Sequence, residues 1–238
     1  MIASMRHDGS ISTYNVPPSG LTKPMISGQQ ALAQLREGNR RFVASIRDPA
    51  APLSQPRPVR LPLVQEPFAI VLGCSDSRVP AELVFGQGFG DLFVIRVAGN
   101  IVAPSQVGSV EFAAARFGTR LAVVLGHTQC GAITATLEEL RQPASHQSPN
   151  LRSIVDRIRP AVEPLLATAV GLEPEALLAH AVRANIRAAA DHLRHGSAVL
   201  ERLVERDGLL IVGAEYCLET GVVEFFDGVP EAGRSRGS

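Results

Sequence analysis

The segment FAIVLGCSDSRVP, residues 68–80, joins an apolar run directly to a cysteine and several charged residues. The run at 68–73 is short and continuous, as in strands that are buried on both faces of a parallel sheet. The segment LAVVLGHTQCGA, residues 121–132, repeats this pattern with a histidine after the apolar run. Similar runs occupy residues 91–97 and 209–214. The four runs predict four buried strands.

Stretches of sequence with helical periodicity lie between these runs. Apolar residues recur at helical spacing in four stretches, 109–117, 132–141, 151–167 and 174–194. A last short run at 222–226 predicts a hairpin partner at the sheet edge. Strands that alternate with helices predict an α/β fold, with a mostly parallel four-stranded sheet, an added edge strand and helices on both faces.

The N-terminal part divides into three predicted segments. Residues 1–26 are rich in Gly, Ser and Pro and predict a loosely ordered arm. Residues 27–47 carry an amphipathic helical pattern, and the five prolines within 48–62 predict a linker without regular structure. We expect the linker to hold this helical arm away from its own core, on a partner subunit. Residues 27–238 as a whole predict a single α/β domain.

Composition excludes several function classes. The 23 basic and 23 acidic residues leave no net charge, whereas nucleic acids and anionic membranes select basic surfaces. The sequence has no apolar run of about 18 residues that would span a membrane. The first residues lack a secretory signal pattern, so we expect a cytoplasmic protein.

Two metal-ligand residue types follow predicted strands. Cys74 follows the apolar run at 68–73, and His127 follows the run at 121–126. The carboxyl ends of parallel strands lie at the same edge of a sheet. Cys130 lies three residues after His127, close enough for both to face one point. Two thiolates and an imidazole suit zinc, and three protein ligands leave a fourth position open for catalysis. The alternative is a structural role, since buried cysteine often packs as a small apolar residue.

Asp76 and Arg78 stand two residues apart, directly after Cys74. A guanidinium can present its fork to the carboxylate, orient it and keep it ionised. Asp76 could then accept a hydrogen bond at the metal site. The alternative is an exposed ion pair of little energetic consequence.

Three motifs together resemble the β-class carbonic anhydrases: CSDSRVP at 74–80, GDLFVIRVAGN at 90–100 and GHTQCGA at 126–132. The resemblance extends over roughly residues 30–227. It implies one Zn²⁺ per chain, bound by Cys74, His127 and Cys130, with Asp76 and Arg78 as the catalytic pair. The implied reaction is reversible hydration of CO₂ to bicarbonate and a proton, through a zinc-bound hydroxide.

The same resemblance implies a substrate pocket. Gln65 matches a glutamine that approaches the neighbouring subunit's zinc, and Phe93 matches an aromatic pocket residue. Phe112 stands where many members have tyrosine, and Val71 where regulated members have tryptophan. These residues imply an unregulated, plant-type pocket in a dimer or larger homo-oligomer, with CO₂ and bicarbonate as the small-molecule partners.

Two other functions stay open at the sequence level. One is hydrolysis of CS₂ or COS on the same scaffold, because these linear molecules resemble CO₂. The other is a non-catalytic zinc protein, which would have no use for an Asp76–Arg78 pair. Cys217 is distant in sequence from any second metal-ligand pattern, so we expect a structural or incidental role for it.

Overall fold

The computed structural model describes residues 25–48, 62–142, 148–168 and 171–231. In these ranges a sheet of five strands is accompanied by seven α-helices and one 3-10 turn at Ala98–Asn100. The strands are β1 Ala69–Gly73, β2 Leu92–Arg96, β3 Leu121–His127, β4 Leu210–Tyr216 and β5 Val223–Asp227. The helices are α1 Gly28–Arg47, α2 Ala81–Val84, α3 Pro104–Arg116, α4 Gly131–Arg141, α5 Pro149–Thr168, α6 Pro174–His195 and α7 Ala198–Arg206.

The sheet order is β2-β1-β3-β4-β5, with the first four strands parallel and β5 antiparallel to β4. The chain moves from β1 to β2 on one side and returns to place β3 on the other. A topological switch point therefore lies between β1 and β3, where ligands bind in open α/β sheets. This arrangement confirms the predicted fold class, including the added edge strand.

Alternate strand residues point into two separate cores. Ile70, Leu72 and Val124 pack under α3 to α7 on one face of the sheet. Val71 and Val123 pack on the opposite face, in the core that includes residues of α1, α2 and β5. Helices on both faces explain why the parallel strands are continuously apolar.

The helical arm differs from its predicted position. Ala31, Leu32 and Leu35 of α1 are buried in the core beneath the chain's own sheet, so the expectation that α1 packs on a partner subunit is wrong. Its apolar stripe matches the sheet face, and Ser27 and Gln30 form a capping box that starts the helix there. Nearly all of the predicted arm 1–26 and linker 48–62 lies outside the described residues.

Two helices were not predicted. The α2 helix has four residues, too few to produce a periodic pattern. The α7 helix begins at a second start signal, because the Ser197 hydroxyl accepts a hydrogen bond from the Leu200 N–H directly after α6 ends at Gly196. Of the helices in the described ranges, none is sufficiently long and apolar to cross a bilayer.

Candidate metal centre

The predicted ligands meet at the carboxyl edge of the sheet, at the switch point. Cys74 directly follows β1, and His127 is the last residue of β3 rather than the residue after the strand. Gly73 of β1 is in register with Leu125 of β3, so both side chains leave neighbouring strands at the same edge. Cys130 is the N-cap residue of α4, which brings the third side chain back toward the strand ends.

The ligand atoms of Cys74, His127 and Cys130 all lie within 4.8 Å of one another, and all three residues are buried. Zinc bonds of about 2.3 Å to sulfur and about 2.0–2.1 Å to nitrogen put tetrahedral ligand atoms about 3.5–4 Å apart. The three thiols of the chain, including Cys217, are free rather than disulfide-bonded. The spacing and the donor types therefore fit a zinc ion.

His127 has one ring nitrogen, Nε2, available to a metal ion. Its Nδ1 lies 2.9 Å from the Thr128 carbonyl, which can only accept, so Nδ1 donates and Nε2 carries the lone pair. Among the described residues Nε2 has no hydrogen-bond partner although it is buried. A buried polar atom without a partner is costly, and a metal ion would satisfy it.

The two thiols share one environment and titrate together. The neighbouring Cys130 thiol, aided by His127 and backbone N–H groups, lowers the pKa of Cys74 to about 4. The Cys74 thiolate in turn raises the pKa of Cys130. Burial opposes protonation of His127, but the Cys74 sulfur, the Thr128 carbonyl and Asp76 outweigh it and raise the pKa of His127. A cation bound here would displace the remaining protons.

Asp76 and Arg78 form the predicted ion pair. Arg78 donates from its backbone N–H and Nε to Oδ1, both at 2.9 Å, and from Nη2 to Oδ2 at 2.7 Å. These bonds hold the pKa of Asp76 well below its ordinary value, although partial burial opposes the shift. Asp76 Oδ2 lies 3.8 Å from His127 Nε2, so the ionised carboxylate adjoins the ligand cluster.

Three further residues support the site and were not predicted to do so. Arg96, at the end of β2, donates from Nε to the Cys74 carbonyl and from Nη2 to the Asp76 carbonyl, at 3.1 and 2.5 Å. The Gly99 N–H donates to Cys74 Sγ at 3.4 Å. Asn185 donates to the Gly99 carbonyl. Only Gly99 carried a sequence signal, because Gly-Asn predicts a tight turn.

The predicted pocket residues are not gathered around the metal ligands of their own chain. Gln65 is exposed, and its Cα lies beside Gly90, before the amino end of β2. Phe93 lies in the amino half of β2, in register with Ile70, and its ring packs 6.2 Å from that of Phe112. Gln65 and the ligands are thus separated by the length of β1, about 16 Å for five residues.

A cavity of about 320 Å³ lies at the amino edge as well, and none of the predicted site residues lines it. Cys217 follows the last residue of β4, Tyr216, which is in register with His127, but it is not part of the ligand cluster. The histidines of α6, His180, His192 and His195, are exposed, while His146 lies outside the described residues.

Comparisons with known proteins agree on one family. A family model described as carbonic anhydrase matches residues 69–223. Carbonic anhydrase 2 of Mycobacterium tuberculosis is 38% identical over 194 residues, covering 79% of this chain and 87% of that protein. The structure of β-carbonic anhydrase CafA from Aspergillus fumigatus has a TM-score of 0.64 and 25% identity, over 85% of this chain and 91% of that one.

A tetrameric β-carbonic anhydrase from Sordaria macrospora shares the fold, with a TM-score of 0.62 and 19% identity over 83% of this chain and 95% of that one. The family match covers most of the sheet and every residue of the ligand cluster. The chain belongs to the β-carbonic anhydrase family.

Proposed function

We propose that this protein catalyses the reversible hydration of CO₂ to bicarbonate and a proton, with one zinc ion per chain held by Cys74, His127 and Cys130. The observation that carries the proposal is the buried ligand cluster, with ligand atoms within 4.8 Å of one another, beside a carboxylate held by Arg78. A purely structural zinc site has four protein ligands and no need of that carboxylate.

The bound zinc would supply a water molecule whose pKa is lowered to about 7, which makes a nucleophile available at neutral pH. The chain's own contribution is orientation. Asp76 Oδ2 accepts one bond from Arg78 and retains a lone pair toward the ligand cluster. Because the carboxylate stays ionised, it acts as an acceptor that fixes a water proton away from the carbon of CO₂.

Arg78 is the positioning residue for Asp76. Its side chain is 53% exposed while that of Asp76 is 17% exposed, so the guanidinium faces solvent and the carboxylate faces the site. Arg78 occupies both carboxylate oxygens, which restrains Asp76 from rotating onto the metal as a fourth ligand. The proposed resting arrangement is therefore the one that leaves a metal position for water.

We propose further that the substrate pocket is completed by a second copy of the chain. Gln65, Phe93 and Phe112 lie away from the ligands of their own chain, and Phe112 is 52% exposed. In the described chain, β2 pairs only with β1 and so presents an edge. A neighbour on this side could offer Gln65 as a hydrogen-bond donor and the two rings as an apolar wall. The tetrameric neighbour in fold supports self-association.

The cytoplasmic setting belongs to the same proposal. Cys74, Cys130 and Cys217 are all free thiols. Sparse thiols that remain unpaired suit a reducing compartment, where cysteine serves metal binding rather than disulfide formation.

The test is stopped-flow CO₂ hydration from about pH 6.5 to 9, a window around the expected pKa of zinc-bound water, with zinc measured on the same samples. We expect rapid turnover with about one zinc per chain, and loss of both in Cys74→Ala. A wild-type protein that carries zinc and does not hydrate CO₂ would overturn the assignment, and CS₂ and COS would then be assayed.

A further inference from the structure

Helix α6 contacts β3, which ends at His127, and the turn at Gly99, which adjoins Cys74. Asn185 is 3% exposed, and its Nδ2 donates to the Gly99 carbonyl at 2.8 Å. The next residue, Ile186, packs against Gly126, where an added Cβ would lie 2.5 Å from Ile186 Cδ1. Gly126 immediately precedes His127 in β3. Asn185 and Ile186, in one turn of α6, thus contact the backbone at Gly99 and at Gly126, on two sides of the ligand cluster.

Gly99 links this helix to a metal ligand. Its N–H donates to Cys74 Sγ, and its carbonyl accepts from Asn185. Its φ of +69° is in the left-handed region, and an added Cβ would lie 2.9 Å from Ile158 Cδ1, so only glycine fits. The turn is also hydrogen-bonded to the strands. The Asn100 N–H donates to the Val97 carbonyl, and the Val97 N–H donates to the Gly73 carbonyl.

Asn185 is a polar residue on a buried face of α6 that is otherwise apolar. The buried face of α6 otherwise presents Leu177, Ala181, Val182, Ile186, Ala189, Ala190 and Leu193. Burying an amide among such residues is unfavourable unless it is hydrogen-bonded, whereas an apolar residue would pack there without that cost. The described hydrogen bond of Asn185 ends on Gly99, whose N–H reaches the Cys74 sulfur.

We propose that Asn185 is a positioning residue of the metal centre, which acts through Gly99 to direct an N–H group at the sulfur of Cys74. This inference rests on the proposed zinc site. A hydrogen bond to a thiolate stabilises its charge and draws electron density from the metal–sulfur bond, so the site is tuned by a residue that does not touch the metal.

The first test compares Asn185→Asp with Asn39→Asp. Both replace a buried asparagine donor by an isosteric carboxylate, but Asn39 contacts Val84, Gly221 and Val223 rather than the ligand cluster. We expect Asn185→Asp to release zinc to a chelator about 10-fold faster and to shift the thiolate-to-cobalt charge-transfer band of the cobalt-substituted protein. Asn39→Asp should leave both at wild-type values.

Wild-type values for both readouts in Asn185→Asp, or equal shifts in the two variants, would overturn the proposal. If Asn185→Asp does not fold, cadmium-113-substituted wild-type protein gives the answer. The Gly99 amide proton should then show scalar coupling to cadmium through the N–H···S bond, and absence of coupling would contradict the proposed link. A wild-type chain that binds neither cobalt nor cadmium would instead overturn the metal assignment itself.

Discussion

Asp76 shows how one side chain acquires a defined role from its neighbours. Three hydrogen bonds from Arg78 fix its orientation, and Oδ2 faces His127 across 3.8 Å. The turn that makes this possible is closed by the Val79 N–H, which donates to the Asp76 carbonyl at 3.1 Å. Because Asp76 and Arg78 stand two residues apart, the Asp76 carboxylate is held as an ionised hydrogen-bond acceptor in a fixed orientation beside the ligand cluster.

Asp76→Asn should retain zinc but lose about 10²-fold or more in kcat/KM for CO₂ hydration, because the charged acceptor is lost. Since Arg78 lowers the pKa of Asp76, the wild-type carboxylate is ionised throughout the assay. The deficit should therefore be the same from about pH 6.5 to 9. Stopped-flow rates with zinc analysis measure both quantities.

The matched control is Asp156→Asn, because Asp156 forms ion pairs of 3.8 Å with Arg152 and Arg159 on α5 at 51% exposure. It should hydrate CO₂ at the wild-type rate. Full activity in Asp76→Asn would remove Asp76 from the mechanism. A deficit that disappears at one end of the pH range would show that Asp76 titrates within it.

Cys217 should react as a thiolate at a lower pH than an ordinary cysteine. The Thr220 side chain and the backbone N–H groups of Thr220 and Glu219 lower its pKa, against partial burial. A lowered pKa means that more thiolate is present at neutral pH, so alkylation by iodoacetamide should have its midpoint at a lower pH than that of an unperturbed cysteine. Mass spectrometry of the zinc-loaded protein distinguishes Cys217 from the buried Cys74 and Cys130.

Thr220→Val removes the hydroxyl and should move this midpoint to higher pH. Equal midpoints in wild type and variant would show that the Thr220 hydroxyl does not stabilise the thiolate. The variant also tests the fold, because the Val222 N–H donates to Thr220 Oγ1 at 3.3 Å and its loss loosens the turn.

The clustering of the proposed ligands could be predicted from sequence, but the residues that support them could not. Cys74 and His127 each follow an apolar run, so residue type and position together carry the signal. Asn185 stands in a helix 86 positions from its partner Gly99, and nothing in the local pattern indicates that contact. The supporting role of Arg96 could not be predicted either, since a charged residue at a strand end is ordinarily solvated.

At the scale of elements, α1 is fixed to the domain by a single buried amide. Asn39 Nδ2 donates to the carbonyls of Val84 and Gly221 at 3.0 and 2.8 Å, and its Oδ1 accepts from the Val223 N–H at 2.9 Å. One side chain thus joins α1 to the end of α2 and to the turn before β5. The apolar stripe of α1 supplies burial, while Asn39 supplies its register on the sheet.

Asn39→Ala should lower the free energy of unfolding by about 2–4 kcal/mol, because it leaves buried backbone groups without partners. Urea unfolding of the zinc-loaded protein measures the change. Arg40→Ala is the control, since Arg40 pairs with Glu37 on the exposed side of α1, where solvent screens the ion pair. Equal losses in the two variants would contradict the anchoring role of Asn39.

Long elements were predictable where periodicity and burial coincide, as in β1, β3 and α6. The position of α1 was not, because an amphipathic stripe indicates that a helix covers an apolar surface without identifying which surface. The position of α1 depends on the hydrogen bonds of Asn39 to Val84 and Val223, which lie at least 45 positions away in the sequence. The boundary between α6 and α7 depended likewise on one serine cap rather than on the apolar pattern.

At the scale of the molecule, the two halves of the proposed site lie at opposite edges of the sheet. The proposed metal ligands occupy the carboxyl edge, whereas Gln65 lies beside Gly90 at the amino edge. Exposed apolar residues surround that edge, namely Leu63, Val64 and Phe89. Sequence alone could name Gln65 through a resemblance but could not reveal this separation, because it arises from the sheet that lies between.

Mixed dimers can decide whether Gln65 acts on the neighbour's metal site. A chain with Gln65→Ala keeps Asp76, and a chain with Asp76→Asn keeps Gln65; each homodimer should lose about 10²-fold in activity. In a hybrid of the two, the site with intact Asp76 receives Gln65 from the other chain, so about half of the wild-type activity per dimer should return. Hybrids isolated through two different affinity tags give the measurement.

If Gln65 served its own chain, neither site of the hybrid would be complete and activity would stay low. The same low value would follow if the chains did not associate, so the mass of the tagged hybrid is determined alongside its rate. A correct hybrid without recovery would contradict the shared site. Recovery would establish that the catalytic unit is larger than one chain, since a single sheet keeps Gln65 and Cys74 about 16 Å apart along β1.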